Sequence, residues 1–549
     1  MAGGGGSDSI NGDSGNDILL GDFGSIQLSS NWIAERVVST SIDSAFSGTD
    51  QLSGGAGNDI LMAGAALAGE SEALVDLLGN NTMIGDFADV SGARVLEAVT
   101  SLISIASDVG GADSIETGRG NDLILGGEGD DSISSGLGGD LIFGDNGVLD
   151  MTGGTMQTTG SDADGSDLIT IGADPIGAGD PPSPSDIRDI VIGGLGNDTV
   201  NAIDGGLVFI GDAGSVTLDP VALNALRTFR PAGSSATEEQ IEAEERALQL
   251  ISNIASALES SAHADDGDDS ISITGGDAMA VLGGGSDIAN LSLADGMNYI
   301  LGDDGTLTIV PNDDYSGRLT LLTTATSAAL VNNDTISAGN GDNLIVGGEG
   351  FDLIATGDGD NQILGDSGSI THDDRTDEVT SVLVSASLVS DGDDLIISGD
   401  GRNRIVAGGG DDVVQSGDGG NLIIGDSGTI SDLPTGVTLT SSDPLTGGDD
   451  IVVAGVGNDL VILGAGADLA TLNEGDNSVL GDNGSIVQTY TADDAEFVLT
   501  SASQVSDGND IVTAGNGRNR VLTGGADDTV SLGDGGNLII TDSGTISDL

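Results

Sequence analysis

A chain of 549 residues with 93 glycines, no cysteine and a formal charge of −77 excludes several classes of protein from the outset. All thirteen of its basic residues are Arg, and against 90 acids this balance repels both nucleic-acid phosphates and an anionic bilayer surface. Without cysteine there are no disulfides and no thiolate metal sites, and no apolar run reaches the length of a membrane-spanning helix.

High net charge with few aromatics is a mark of disorder. Here, however, aliphatic residues are plentiful and the acids are spaced rather than clumped. Such a chain folds if cations neutralise it, and oxygen ligands favour a hard cation such as calcium.

The chain opens on MAGGGG, which reads as a start placed on a cut fragment rather than a signal peptide; export would then use a signal outside these residues. The body repeats at two scales. The short period is nine: from Gly392 the chain reads GDDLIISGD, GRNRIVAGG, GDDVVQSGD, GGNLIIGDS. Each nonamer joins a Gly/Asp-rich turn to a short aliphatic strand, and two nonamers return the chain over itself, giving roughly 18 residues per coil of a parallel solenoid.

The long period is about sixty residues. Its marks are GD-x-x-x-(I/L/V) phrases carrying Asp22, Asp86, Asp145, Asp212, Asp303, Asp366, Asp426 and Asp482, with TDSGTI at Asp542. These aspartates read either as Asx-type turns that end a coil or as calcium ligands at unit junctions. The marks divide the chain into a partial unit, 1–26, and units at 27–90, 91–149, 150–216, 217–307, 308–370, 371–430, 431–486 and 487–549, expected to form one continuous solenoid.

Excursions follow the coils. In chain order, 69–78 (GESEALVDLL) reads as a short helix, and 172–186 as a Pro/Gly loop. Residues 237–260 read as the best helix, with a capping box at Thr237 and Gln240 and an apolar face of Ile241, Leu248, Ile251, Ile254, Ala255 and Leu258. Residues 485–506 read as a β-hairpin or a pair of strands. The predicted fold is all-β: a parallel β-roll or β-solenoid of nonapeptide repeats, with periodic hairpin excursions and one or two helical insertions.

Aspartates eighteen apart stack at about one strand spacing, roughly 4.8 Å, and stacked carboxylates repel unless a cation lies between them. Two edges emerge. The first carries Asp113, Asp131, Asp334, Asp352, Asp394, Asp412, Asp450, Asp468, Asp510 and Asp528. The second carries Asp122 and Asp140, then drifts to Asn343, Asn361, Asn403, Asn421, Asp459, Asn477, Asn519 and Asn537. The first edge is expected to bind calcium throughout, the second mainly where Asp survives and otherwise to hold an Asn ladder. Arg402, Arg404, Arg518 and Arg520 flank two of the Asn positions, where a guanidinium could replace a cation or simply face solvent. Asp8, Asp17, Asp50, Asp59, Asp189 and Asp198 complete the candidate metal ligands.

The best copies, GGAGNDILM at 54–62, GGEGDDSIS at 126–134, GGLGNDTVN at 193–201 and GGEGFDLIA at 347–355, match GGxGxDxUx. This resembles the calcium-binding repeat of RTX proteins, the hemolysin-type secreted family. The resemblance implies a sixth-position Asp that supplies a side-chain oxygen to calcium while loop carbonyls complete the shell. It also implies an extracellular or cell-surface protein exported by type I secretion, and this chain looks like a section of a giant repetitive surface protein. It suggests a calcium-rigidified rod that adheres or forms fibres, with a cell-surface or host partner or self-association. The alternative is a calcium-binding module of an RTX toxin or hydrolase whose catalytic part lies outside this chain.

No enzyme is expected. GDSG at 365–368 and 425–428 resembles the serine loop of trypsin-like proteases, but the marks also carry Asn, Phe, Ala or Asp in place of Ser. A triad needs a base, and His263 and His372 both lie in polar insertions. No HExxH, GxSxG or Cys/His constellation appears, and neither nucleic acid nor membrane insertion is expected.

Overall fold

The computed structural model describes residues 1–31, 34–40, 48–64, 71–92, 99–105, 110–159, 165–172, 188–203, 206–228, 254–260, 266–312, 317–325, 332–386, 388, 391–442, 447–490, 495–501 and 506–548. The chain divides into two compact units, Met1–Gly283 and Gly284–Leu549.

The coil of the C-terminal unit is set by its two kinds of short strand. Strands such as Leu395–Ser398, Val413–Ser416 and Ile451–Ala454 pair in parallel as an outer sheet. Their burial alternates, as in Val413–Ser416, because one face meets the roll interior and the other meets water. Strands such as Arg404–Gly408, Leu422–Asp426 and Leu460–Gly464 pair in parallel as an inner sheet. These are buried at every position in Leu422–Asp426. A strand covered on both faces reads as a continuous aliphatic run, as the LII of this strand does.

The second cover is built from the excursions. Gly428–Leu433 and Gly436–Ser441 form an antiparallel hairpin. Its neighbours continue the sheet on both sides, through Thr380–Ser385 and Gly484–Tyr490. Ile430, Val437 and Leu439 face inward and are fully buried, as are Ile423 and Ile424. Each such side chain contributes about 1.5–3 kcal/mol when removed from water. The roll is thus a three-layer stack, and the hairpins thicken it.

The excursions also explain the two periods. Asp394 and Asp412 lie 18 residues apart where the inner strand turns tightly into the outer one. Asp352 and Asp394 lie 42 apart where the turn is opened by a hairpin. A tight coil and an opened coil alternate, which yields the sixty-residue unit.

The N-terminal unit has the same three sheets with less regular spacing. Successive stacked aspartates are separated by 18, 36, 31 and 71 residues from Asp113 to Asp269. Two sequence expectations fail here. Ala73–Leu78 is a strand of the outer sheet, paired with Gln51–Ser53 and Ser114–Arg119, not a helix. Leu74 and Asp76 alternate inward, and cross-strand pairing overrides helix propensity. Ala255–Ser260, expected to end the long helix, is a cover strand antiparallel to Gly214–Leu218. The rest of that expected helix, 237–253, lies outside the described residues, as does most of the Pro/Gly loop.

A helix does occur at Pro220–Thr228. Asp219 caps it, its side chain accepting from the N–H of Val221 at 2.9 Å and Ala222 at 2.8 Å, and Pro220 sits at the first helical position, where its missing N–H costs nothing.

Candidate metal centres

The sixth-position aspartates fall into two separate files. Asp8, Asp50, Asp113, Asp131 and Asp198 in the N-terminal unit lie at the turn from inner to outer strand. So do Asp334, Asp352, Asp394, Asp412, Asp450, Asp468, Asp510 and Asp528 in the C-terminal unit. Asp17, Asp59, Asp122, Asp140 and Asp189, and separately Asp459, lie at the opposite turn.

Along the first file one oxygen of each carboxylate accepts from the backbone N–H of the preceding member. Asp412 Oδ1 accepts from the Asp394 N–H at 2.7 Å, Asp450 Oδ1 from Asp412 at 2.9 Å, and Asp468 Oδ1 from Asp450 at 2.8 Å. Asp50, Asp131 and Asp352 accept in the same way. The other oxygen is left over. Oδ2 of Asp50, Asp131, Asp198, Asp352, Asp394, Asp412, Asp450, Asp468, Asp510 and Asp528 is buried without a hydrogen-bond donor. On the opposite file the same holds for Asp17, Asp59, Asp122, Asp140 and Asp459. A buried, unpaired carboxylate oxygen is costly.

These oxygens share their space with carbonyls. A Cβ on Gly347 would collide with both Asp352 Oδ2 and the carbonyl oxygen of Gly365, and one on Gly425 with Asp450 Oδ2 and the carbonyl of Leu463. Glycine at the first loop position therefore leaves a cradle into which acceptors alone converge. Among the described residues no group of three or more His, Cys, Asp or Glu side chains gathers for a metal. Any cation here is held by one or two carboxylates with backbone carbonyls. That donor set, all oxygen, fits a hard cation of six to eight ligands such as calcium.

Burial dominates the electrostatics. It pushes the carboxyl of Asp50 up to about 6, of Asp113 and Asp468 to about 7, and of Asp510 to about 8. On the opposite edge burial raises Asp459 to about 6 and Asp189 to about 8. Asp131, Asp198, Asp352, Asp394, Asp412 and Asp450 are raised well above the usual carboxylate range, first by burial and then by the charges of neighbouring aspartates.

The junction aspartates from Asp22 to Asp482 are buried rather than solvated, whereas Asp542 is exposed and accepts from the adjacent Ser543 N–H at 2.8 Å. Asp366 takes the position that glycine holds in the tight loops, in the register that also pairs Gly408 with Asp426. Its Oδ2 accepts from the Gly409 N–H at 2.5 Å and its Oδ1 from Gly392 at 3.3 Å. It thus ties the next coil's loop to the return of its own excursion. Asp145 does the same with Leu195 and Gly165.

Several file members were not anticipated. Asp167, Asp269 and Asp287 stand in the first file. Glu72 occupies the place between Asp50 and Asp113: the backbone of Asp50 bonds to Ala73 and that of Glu72 to Ser114. Glu72 is fully buried with both carboxylate oxygens unpaired. Burial, then the charges of Asp113 and Asp50, pushes it up to about 11. It was hidden because its nonamer is broken and its segment reads as a helix.

Arg402, Arg404 and Arg520 turn to the cover sheet, while Arg518 stays at the loop of Asn477. Arg402 and Arg404 both pair with the buried Asp432 of the cover sheet, at 2.9 and 2.6 Å. Arg518 pairs with Asp476 at 3.1 Å, and Arg520 stacks over Phe497 at 4.3 Å. His372 is buried in the cover sheet, its Nδ1 within 2.8 Å of Gln362 and 3.1 Å of Ser381; Ser367 of the GDSG phrase is buried too. His263 lies outside the described residues.

The RTX calcium-binding nonapeptide repeat family, in a model of four copies, matches residues 1–25, 44–66, 109–142, 187–205, 332–354, 337–369, 389–428, 446–479 and 505–539. No curated protein matches the chain.

Proposed function

The chain carries RTX calcium-binding nonapeptide repeats along much of its length, and from that premise we propose that it is a non-enzymatic extracellular segment that calcium folds and stiffens into a structural or adhesive element. The observation that carries this reading is the file of buried carboxylate oxygens without donors, several of them, such as those of Asp131, Asp198, Asp352, Asp394 and Asp450, set beside loop carbonyls.

Calcium bound at these loops supplies the positive charge that the converging oxygens need. The protein's part is to hold the oxygens in place. The sixth-position Asp offers Oδ2 while its Oδ1 is fixed by the neighbouring backbone, and the first-position glycine keeps the cradle open. In the N-terminal unit Asp50, Asp131 and Asp198 would serve on one edge and Asp17, Asp59, Asp122 and Asp140 on the other. In the C-terminal unit Asp352, Asp394, Asp412, Asp450, Asp468, Asp510 and Asp528 would serve.

Calcium that binds only the folded chain stabilises it by mass action, so the chain would stay open where calcium is scarce and fold where it is plentiful. That suits export by type I secretion, followed by folding outside the cell. Among the described residues no helix is long and apolar enough to cross a membrane. A calcium titration of chelator-stripped protein, followed by far-UV circular dichroism, tests the proposal. A gain of β-signal that chelator reverses is expected; an unchanged spectrum would refute it.

A further inference from the structure

We propose that on the second edge of the C-terminal unit the asparagine amides take the place of cations, so that this edge is built to hold itself without calcium while the first edge requires it. The inference rests on the calcium reading above and adds which loops are exempt from it.

The two edges share one architecture up to a single atom. On both, the sixth residue lends Oδ1 to the backbone N–H of a neighbouring coil: Asp412 to Asp394 at 2.7 Å, and Asn421 to Asn403 at 3.3 Å. The difference is the second atom of the side chain. In aspartate it is an oxygen among carbonyl oxygens. In asparagine it is an NH2 group that donates to them. Asn403 Nδ2 reaches the carbonyls of Gly399 at 3.0 Å and Gly401 at 3.4 Å, and Asn421 Oδ1 at 3.1 Å. Asn361 repeats the pattern with Gly357, Gly359 and Asn403 at 3.2, 3.1 and 2.9 Å. Asn343 repeats it with Gly339, Gly341 and Asn361 at 3.1, 3.1 and 2.8 Å.

From Asn343 to Asn421 the result is an unbroken file of neutral, satisfied amides. It carries no like-charge repulsion, and the loop carbonyls that would face a cation already receive N–H donors. A cation there would meet protons rather than lone pairs. Asp459 interrupts the file. Its Oδ1 accepts from both the backbone N–H and the Nδ2 of Asn421, at 2.9 and 3.1 Å, while its buried Oδ2 has no donor. It stands where its neighbours place an amide and is the point on this stretch that still demands a positive charge.

The test counts calcium ions on the full chain by native mass spectrometry, for the wild type, for Asn361→Asp/Asn403→Asp/Asn421→Asp, and for Asp394→Asn/Asp412→Asn. The first variant is expected to bind more calcium than wild type and the second less. An unchanged count in the first variant alone overturns the amide substitution; an unchanged count in the second variant means that the calcium reading itself has failed. If the first variant does not fold, hydrogen exchange on chelator-stripped wild type decides. Amides at 399–403 and 417–421 should stay more protected than those at 408–412, and equal exchange at both edges overturns the proposal.

Discussion

Gly408 shows how a single residue is fixed by the metal loops. Its φ is +133°, a conformation that side chains other than glycine rarely adopt, and a Cβ there would strike the Asp366 carboxylate. Gly408→Ala should therefore lower the melting temperature of the calcium-loaded protein and weaken its calcium affinity together, as thermal denaturation and calcium titration would show. The aspartate files were legible because a strict spacing and a charge problem pointed to the same residues. Glu72 was not, since it is the wrong acid in a broken nonamer. The role of the junction Asp366 was hidden as well: its partners, Gly392 and Gly409, lie 26 and 43 residues away. Glu72→Gln should replace a carboxyl that burial holds protonated in the absence of metal with a neutral amide of similar shape. It should stabilise the calcium-free N-terminal unit little and reduce calcium binding there, which a calcium count on the variant would detect.

Among the elements, the cover hairpin Gly428–Ser441 carries a buried charge clamp. Asp432 receives Arg402 and Arg404, and removing one side of such a cluster leaves an uncompensated charge in the interior. Asp432→Ala should loosen the hairpin Gly428–Ser441, seen as faster hydrogen exchange across its paired strands with little change at Leu395–Ser398. Period-two alternation was enough to read the hairpin at 485–506. It is also present in EALVDLL, where Leu74 and Asp76 turn inward, although the composition of that segment reads as a short helix. At 255–260 the helical face merged with a cover strand, because Leu258 satisfies either period. The helix at Pro220–Thr228 carries a sequence signal, an Asp–Pro at its start, but it is short and lacks the capping box of the longer apolar face downstream.

For the whole molecule, charge sets the conditions of folding. Folding without metal raises buried carboxyls such as Asp50, Asp468 and Asp510 to about 6, 7 and 8, against about 4 for aspartate in an unfolded chain. The folded state then binds more protons than the unfolded one. Stability from these groups is fully present below about pH 4 and is lost as pH rises through about 6–8. Calcium-stripped protein should accordingly show more β-signal at about pH 5 than at about pH 8, with protons standing in for calcium, and circular dichroism across that range would check it. The most direct measurement of the central claim is an anomalous-difference map from crystals of the calcium-loaded protein. The account predicts peaks beside Asp352, Asp394, Asp412, Asp450 and Asp468, and none along Asn343, Asn361 and Asn403. A map without peaks at the aspartate loops would contradict it.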